Sequence, residues 1–486
     1  MTKKFYITTP IYYVTANPHI GTAFTNIIAD ILARWHRLNN ENVFFLTGTD
    51  EHGQKVAEKA KLQGKEPKEF VDEVSQKFKD AWSALDISYD KFIRTTDKEH
   101  EEVVLKFIDK LNASGDIYKG KYSGWYCVPD ETFITEKELI DGKCPECKRP
   151  VIKFEEDAYY FRLSKYQDKL LKLYTDNPDF LLPHEKAGEI INRVKEGLND
   201  LDITRKTITW GIPFPLDKQF VAYVWVDALL NYISALGWPN GDKFNEFWPA
   251  DVQVMGKEIT WFHAVIWPAL LMSTGTELPK SILSHGWWTV EGQKMSKSLG
   301  NVVDAVEVSK KYSVDAVRFF VIREKALHKD GDFSEKALIT RINGELVADL
   351  GNLASRVLTL AEKFDGKVQG KDELSKNLDM AAIRKHFDTY DTFAALEEVW
   401  KFVRSTNKYI NEKKVWELKG DELSNALYNL LESLRIISIL INPFMPSTSA
   451  RLCEQLGVKL GNADDCKFGE FTGKAKKGEY LFKKVE

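Results

Sequence analysis

Apolar positions change their spacing several times along the 486 residues, and each change predicts an element. Residues 4 to 8 are a short apolar-rich run with the length of a buried strand, and residues 9 to 18 are turn-rich. From Ile20 the apolar residues fall at 20, 24, 27, 28, 31, 35 and 38, the period of an amphipathic helix. A second apolar strand follows at 42–47. Strand, loop, helix, strand predicts the opening of a doubly wound, parallel-sheet α/β domain of Rossmann-like type. Helical spacing then continues to about residue 114.

Between about 117 and 217 the pattern is broken by clustered glycines, aromatics and cysteines. A helical stretch near 164–175 and a charged segment over 183–205 follow, which together predict a domain inserted into the sheet. The α/β pattern resumes at 221–226, 252–255 and 281–284. From about 335, Leu346, Leu350, Leu353, Val357 and Leu360 keep a three-four spacing, as do Leu423, Leu427, Leu430, Leu434 and Ile437, so a C-terminal α-helical bundle is expected. The expected organisation is therefore 1–116 and 218–290 for the two halves of the α/β domain. The inserted connective domain takes 117–217, a loop with connecting helices 291–345, and the bundle 346–486.

Composition narrows the class only slightly. Hydrophobic residues make up 43% and mean hydropathy is -0.34, with no apolar run near the ~18 residues of a membrane helix. The N-terminus enters its first strand at once, so no cleaved leader and a cytoplasmic location are expected. A net charge of -4 means that any nucleic-acid surface must be a local patch. The lysine-rich end (Lys474, Lys476, Lys477, Lys483, Lys484) is expected to be solvated. An odd count of five cysteines argues against a disulfide framework. Cys127, Asp130, Cys144 and Cys147 instead have the spacing of a zinc ribbon with one ligand altered, expected to hold a structural Zn²⁺.

Two segments suit phosphate chemistry. Asn17-Pro-His-Ile-Gly-Thr22 places a loop against a helix start, where free N–H groups and the dipole favour anions. Gly21 leaves room for a nucleotide, and His19 is placed to donate to a phosphate oxygen, although a lone His there more often caps the helix. Gly292 to Asn301 is a polar, glycine-flanked loop in which Lys294 and Lys297 can grip a pyrophosphate.

The pair resembles the His-Ile-Gly-His and Lys-Met-Ser-Lys-Ser signatures of class I aminoacyl-tRNA synthetases, with Thr22 at the second histidine. The segments TTPIYYVTANPHIG, GTDEHG, VWVDALLNY, MGKEI, WFHAVIWPALL, SHGWWTV and LGNLASR are similar to the methionyl-tRNA synthetase family, over about residues 4–450. The resemblance implies ATP-dependent methionyl-adenylate formation, with Mg²⁺ accompanying ATP, and transfer to the 3′ end of tRNA(Met). It implies His19, Lys294 and Lys297 as catalytic residues, and Gly21, Thr22, Gly256, Glu258, Met295, Ser296 and Ser298 as further ATP contacts. Ile11, Tyr13, Asp50, Trp225, Ala228, Leu229, Tyr232, Ile259 and His263 match the methionine pocket. Asp50 matches the carboxylate that holds the α-ammonium. Asn352, Arg356 and Trp416 match anticodon-reading positions, with Val415 where the pattern has proline. The dimerising C-terminal module of some relatives is not present, so a monomer is expected. A class I synthetase for another amino acid, a catalytically weakened tRNA-binding relative, and a plain nucleotidyltransferase stay open at this stage.

Overall fold

The computed structural model describes residues 2–130, 132–134, 136–206, 208–290, 292–295, 301–364 and 366–486. Its central sheet has six parallel strands: β1 (Lys4–Tyr13), β2 (Asn42–Asp50), β3 (Lys91–Arg94), β4 (Leu181–Leu182), β5 (Val252–Gly256) and β6 (Ile282–His285). Their spatial order is β3-β2-β1-β5-β6-β4. The chain runs outward from β1 through β2 to β3 and returns to the other side of β1 with β5. The crevice between β1 and β5 is therefore the switch point at which open α/β sheets bind ligands.

Both faces of the sheet are covered, and the strand period of two divides the side chains between them. Phe5, Ile7 and Phe45 pack on one face with helix α1 (Ile20–Leu38), which buries Phe24, Ile27, Ile28, Ile31 and Trp35. Tyr6, Phe44 and Leu46 pack on the other face with helix α2 (Lys98–Ala113). The expected strand at 221–226 divides instead. Val221–Ala222 pairs antiparallel with Thr204–Arg205, and a short helix α3 (Val224–Leu229) begins two residues later. The apolar run alone fits either element, and helical turns are what carry Asp227 inward to two buried histidines.

The expected insertion contains an antiparallel sheet of Ile117–Cys127, Thr132–Ile134, Ile152–Phe161 and Leu201–Asp202. Between its last two strands the chain returns to the core, because β4 is the edge strand beside β6. The helical part follows the spacing seen in the sequence, with helices Asn352–Lys363, Met380–Asp388, Thr392–Lys413, Gly420–Ile441 and Pro446–Leu456 around Trp400, Leu430 and Leu434. The lysine-rich end is not simply solvated. Leu481 and Phe482 are buried, and Val485 exchanges two backbone hydrogen bonds with the Asn343 side chain at 2.8 and 2.9 Å. Two apolar residues among the lysines suffice to anchor the segment.

Candidate active site

The C-terminal ends of β1, β5 and β6 open into a cleft of ≈ 530 Å³. Pro10 to Tyr13, Gly256, His285 and Gly286 line it from the sheet, and His19, Gly21, Thr22, Phe24 and Thr25 from α1. The segment at 17–22 thus meets the sheet ends at the switch point, and Met295 joins it from the second segment.

His19 is the N-cap of α1. Its Nδ1 accepts from the backbone N–H of Gly21 at 3.1 Å and of Thr22 at 3.4 Å, which puts the ring proton on Nε2. Thr22 Oγ1 accepts from His19 N–H at 3.0 Å and donates to His19 O at 2.8 Å, completing a capping box. Ile20 N–H is taken by Val303 O at 2.9 Å and Ala23 N–H by His19 O at 2.9 Å. The expected free N–H groups at this helix start are therefore all engaged within the chain. The missing Cβ of Gly21 is likewise used internally: it would lie 3.0 Å from the His19 ring and 3.5 Å from Met295 Cε.

The residues expected to form a methionine pocket come together in the same cleft. Ile11, Tyr13, Asp50, Trp225, Ala228, Leu229, Tyr232, Ile259 and His263 all line the cleft. Tyr13 and Asp50 are register partners at the ends of β1 and β2. Trp225 stacks on Phe262 at 3.7 Å between ring centroids. His263 Nδ1 donates to Ile259 O at 2.9 Å, so its Nε2 accepts from Tyr232 OH at 2.7 Å. Burial pulls the His263 pKa down to about 4, which keeps the ring neutral. Tyr232 and His263 therefore serve one another and present an uncharged, aromatic wall, suited to a thioether.

Among the residues expected to contact ATP, Glu258 folds back over Gly256, where a Cβ would meet Glu258 Oε2 at 2.4 Å. The glycine makes room for that carboxylate, which accepts from Trp287 Nε1 at 2.6 Å. Lys257 pairs with Asp330 at 2.7 Å and lies 4.1 Å from the Trp287 ring centroid. The lysine loop leaves β6 through the hairpin Trp288–Val290 and Gln293–Lys294. Met295 lines the cleft; Ser296, Lys297 and Ser298 lie outside the described residues.

The knuckle fits a metal. Sγ of Cys127, Cys144 and Cys147 and a carboxylate oxygen of Asp130 all lie within 4.8 Å of one another. Thiolates around a tetrahedral zinc stand about 3.8 Å apart, and Cys127 and Cys147 are at 3.4 Å without being bonded. Burial and the Asp130 carboxylate push the Cys127 thiol up, a penalty that a divalent cation would reverse. Asp130 also lines the cleft, so the knuckle closes one side of the active site.

In the bundle, Asn352 and Arg356 share one face of the helix Asn352–Lys363. The Arg356 guanidinium donates to Asn411 Oδ1 at 3.0 Å and sits 5.5 Å from the Trp416 ring, which is 52% exposed.

Sequence reasoning missed several groups in and behind the cleft. His285 Nδ1 donates to Gly286 O at 2.9 Å and its Nε2 accepts from Thr25 Oγ1 at 2.8 Å. Lys325, only 6% exposed, donates to Lys329 O at 2.9 Å and approaches Gly286 O at 3.3 Å. Burial pulls the Lys325 pKa down to about 7. Asp227 joins His52 and His100. The contacts of Thr25 with His285, of Lys325 with Gly286 and of Asp227 with its two histidines cross long stretches of chain and leave no periodic signal.

The family model "tRNA synthetases class I (M)" matches residues 5–153 and 148–358, and "Anticodon-binding domain of tRNA ligase" matches 377–476. With the parallel sheet, the switch-point cleft and the helical C-terminal part, the chain is a class I aminoacyl-tRNA synthetase. The methionine–tRNA ligase of Caldanaerobacter subterraneus subsp. tengcongensis is 51% identical, over all of this chain and 80% of the relative. That of Thermotoga maritima is 49% identical, over 92% of this chain and 74% of the relative. The structure of Mycobacterium tuberculosis methionyl-tRNA synthetase in complex with methionyl-adenylate superposes with a TM-score of 0.93, at 40% identity over 99% of this chain and all of that one. The chain belongs to the methionine–tRNA ligase family.

Proposed function

We propose that the cleft activates L-methionine with ATP and that the activated methionyl group passes to the 3′ end of tRNA(Met). The methionine carboxylate attacks the α-phosphorus of ATP, which arrives with Mg²⁺. A carboxylate oxygen–phosphorus bond forms, the bond to pyrophosphate breaks, and methionyl-adenylate remains. The 2′-hydroxyl of the terminal adenosine then attacks the carbonyl carbon and expels AMP.

Asp50 takes the α-ammonium, and the wall of Trp225, Tyr232 and His263 takes the thioether; a neutral His263 adds no charge beside the sulfur. His19 donates through Nε2 to the phosphate on which charge builds. Lys294 and Lys297 hold the leaving pyrophosphate. Glu258 receives the ribose hydroxyls, and Gly21, Thr22, Gly256, Met295, Ser296 and Ser298 complete the nucleotide site. Positioning and charge stabilisation supply the rate, and no side chain is a covalent nucleophile. Asn352 and Arg356 hydrogen-bond anticodon bases, and Trp416 offers a stacking face.

Cys127, Asp130, Cys144 and Cys147 would hold a zinc ion whose contribution is a structural cross-link. The enzyme acts as a monomer in this reading. Among the described residues no helix is long and apolar enough to cross a membrane, in keeping with a cytoplasmic enzyme.

The observation that carries this reading is the convergence of His19, Asp50 and the Tyr232–His263 pair on one cleft at the switch point. The test is exchange of labelled pyrophosphate into ATP, run with each standard amino acid. Exchange with methionine alone is expected. No exchange with any amino acid would turn the reading toward a tRNA-binding relative, and exchange with a different one would reassign the pocket.

A further inference from the structure

Two motifs contain side chains that the reaction above leaves unused: His52 in Gly-Thr-Asp-Glu-His-Gly, and Asp227 in Val-Trp-Val-Asp-Ala-Leu. Neither lines the cleft, and both are buried. Asp227 accepts from His52 Nδ1 on one oxygen and from His100 Nε2 on the other, both at 2.7 Å. His100 Nδ1 in turn accepts from Ser234 Oγ at 2.8 Å. Burial would push the Asp227 carboxyl up, but the two histidines outweigh it and hold the pKa at about 2. A buried carboxylate with two imidazole donors is a costly arrangement unless it fixes something in place.

What it fixes is the width of the methionine site. His52 follows β2 by two residues, His100 lies on α2, and Asp227 lies on the back of α3. The front of α3 carries Trp225, Ala228 and Leu229 into the cleft. Tyr13 OH donates to the His52 carbonyl at 3.0 Å, tying the other wall to the same residue. Asp50, two residues before His52, faces the cleft from the end of β2. Asp227 is thus the rivet between the strand end that meets the α-ammonium and the helix that meets the side chain.

We propose that the His52–Asp227–His100 bridge is a positioning device that sets the distance between Asp50 and the α3 wall, and through it the affinity for methionine. The bridge takes no part in phosphoryl chemistry. The proposal rests on the reading of the cleft given above.

The test uses amide mimics. An asparagine Nδ2 takes the place of a histidine Nδ1, so His52→Asn keeps the bond to Asp227, whereas His52→Ala deletes it. In pyrophosphate exchange with the whole chain, His52→Ala is expected to raise KM for methionine on the order of tenfold. KM for ATP and the saturated rate stay within about threefold of wild type, and His52→Asn restores most of the methionine KM. On the other side a glutamine Nε2 replaces a histidine Nε2, so His100→Gln preserves the bond and the shorter His100→Asn breaks it. That second pair decides the matter should His52→Ala not fold. An unchanged methionine KM in the bond-breaking variants, or equal increases for methionine and ATP, overturns the proposal. Wild-type exchange with methionine alone, measured alongside, keeps the reading of the cleft separate: its failure would count against that reading.

Discussion

Asp30 and Arg318 meet at 2.6 Å with neither side chain exposed to solvent. Asp30 lies in α1, the helix whose first turn holds His19, and Arg318 in the helix Val314–Arg323. The same guanidinium donates to the carbonyls of Pro443 and Phe444, both at 2.9 Å, between the last two helices of the bundle. One buried cation therefore ties the signature helix to the tRNA-reading part.

Removing Asp30 leaves the buried Arg318 cation without its carboxylate, and deprives Arg34 of the same carboxylate at 2.7 Å. Asp30→Ala is expected to cost about 3–5 kcal/mol in urea unfolding, and adding Arg318→Met should recover part of that loss. A double variant no more stable than Asp30→Ala would contradict the coupling.

Lys325 offers a pH test. Its folded-state pKa, about 7, lies below the ordinary lysine value of 10.5 because burial disfavours the ammonium. The unfolded chain binds the extra proton between those values, so this group adds stability as pH rises from about 7 toward 10.5. At about 1.4 kcal/mol per unit the gain is at most ~5 kcal/mol. Lys325→Met should therefore melt higher than wild type near pH 6, with the gap closing at pH 9. A pH-independent difference would mean that the amine is not titrating in the folded state.

Four strands of the sheet, at 4–8, 42–47, 252–255 and 281–284, were within reach of the sequence because strands buried on both faces read as plain apolar runs. The cleft was legible where a motif sits at a strand end: Tyr13, Asp50 and His19 all line it. What could not be read is pairing across distance. A capping role for His19 could be read, but not that the Thr22 hydroxyl completes the same cap, which makes threonine fit at that position. Nothing near Leu181 shows that two residues inside a long insertion close the edge of the central sheet. The 221–226 run misleads because its length is ambiguous, and only the partners of Asp227 decide for a helix.

The knuckle predicts metal content. Purified protein is expected to carry about one zinc per chain. Cys144→Ser should lose most of it and melt lower, with metal measured by atomic emission. Full occupancy in the serine variant would remove Cys144 from the ligand set. Because Asp130 also lines the cleft, metal loss should lower exchange activity as well as stability.

Trp416 is half exposed, with Arg356 against its ring. Trp416→Ala should raise KM for tRNA(Met) about tenfold, the scale of one base–aromatic stack, and leave pyrophosphate exchange unchanged. Equal losses in both assays would point to a folding defect.

The capped start of α1 has a thermodynamic meaning for the resting enzyme. Gly21 and Thr22 already have an acceptor for their N–H groups in His19, tethered two and three residues away. A phosphate oxygen seeking those donors competes with a covalently attached rival at high effective concentration. Nucleotide held only at that point gains little, because each new bond replaces an existing one. Net affinity must come from contacts the empty cleft lacks, so the same end of α1 that attracts anions also discounts loosely seated ones.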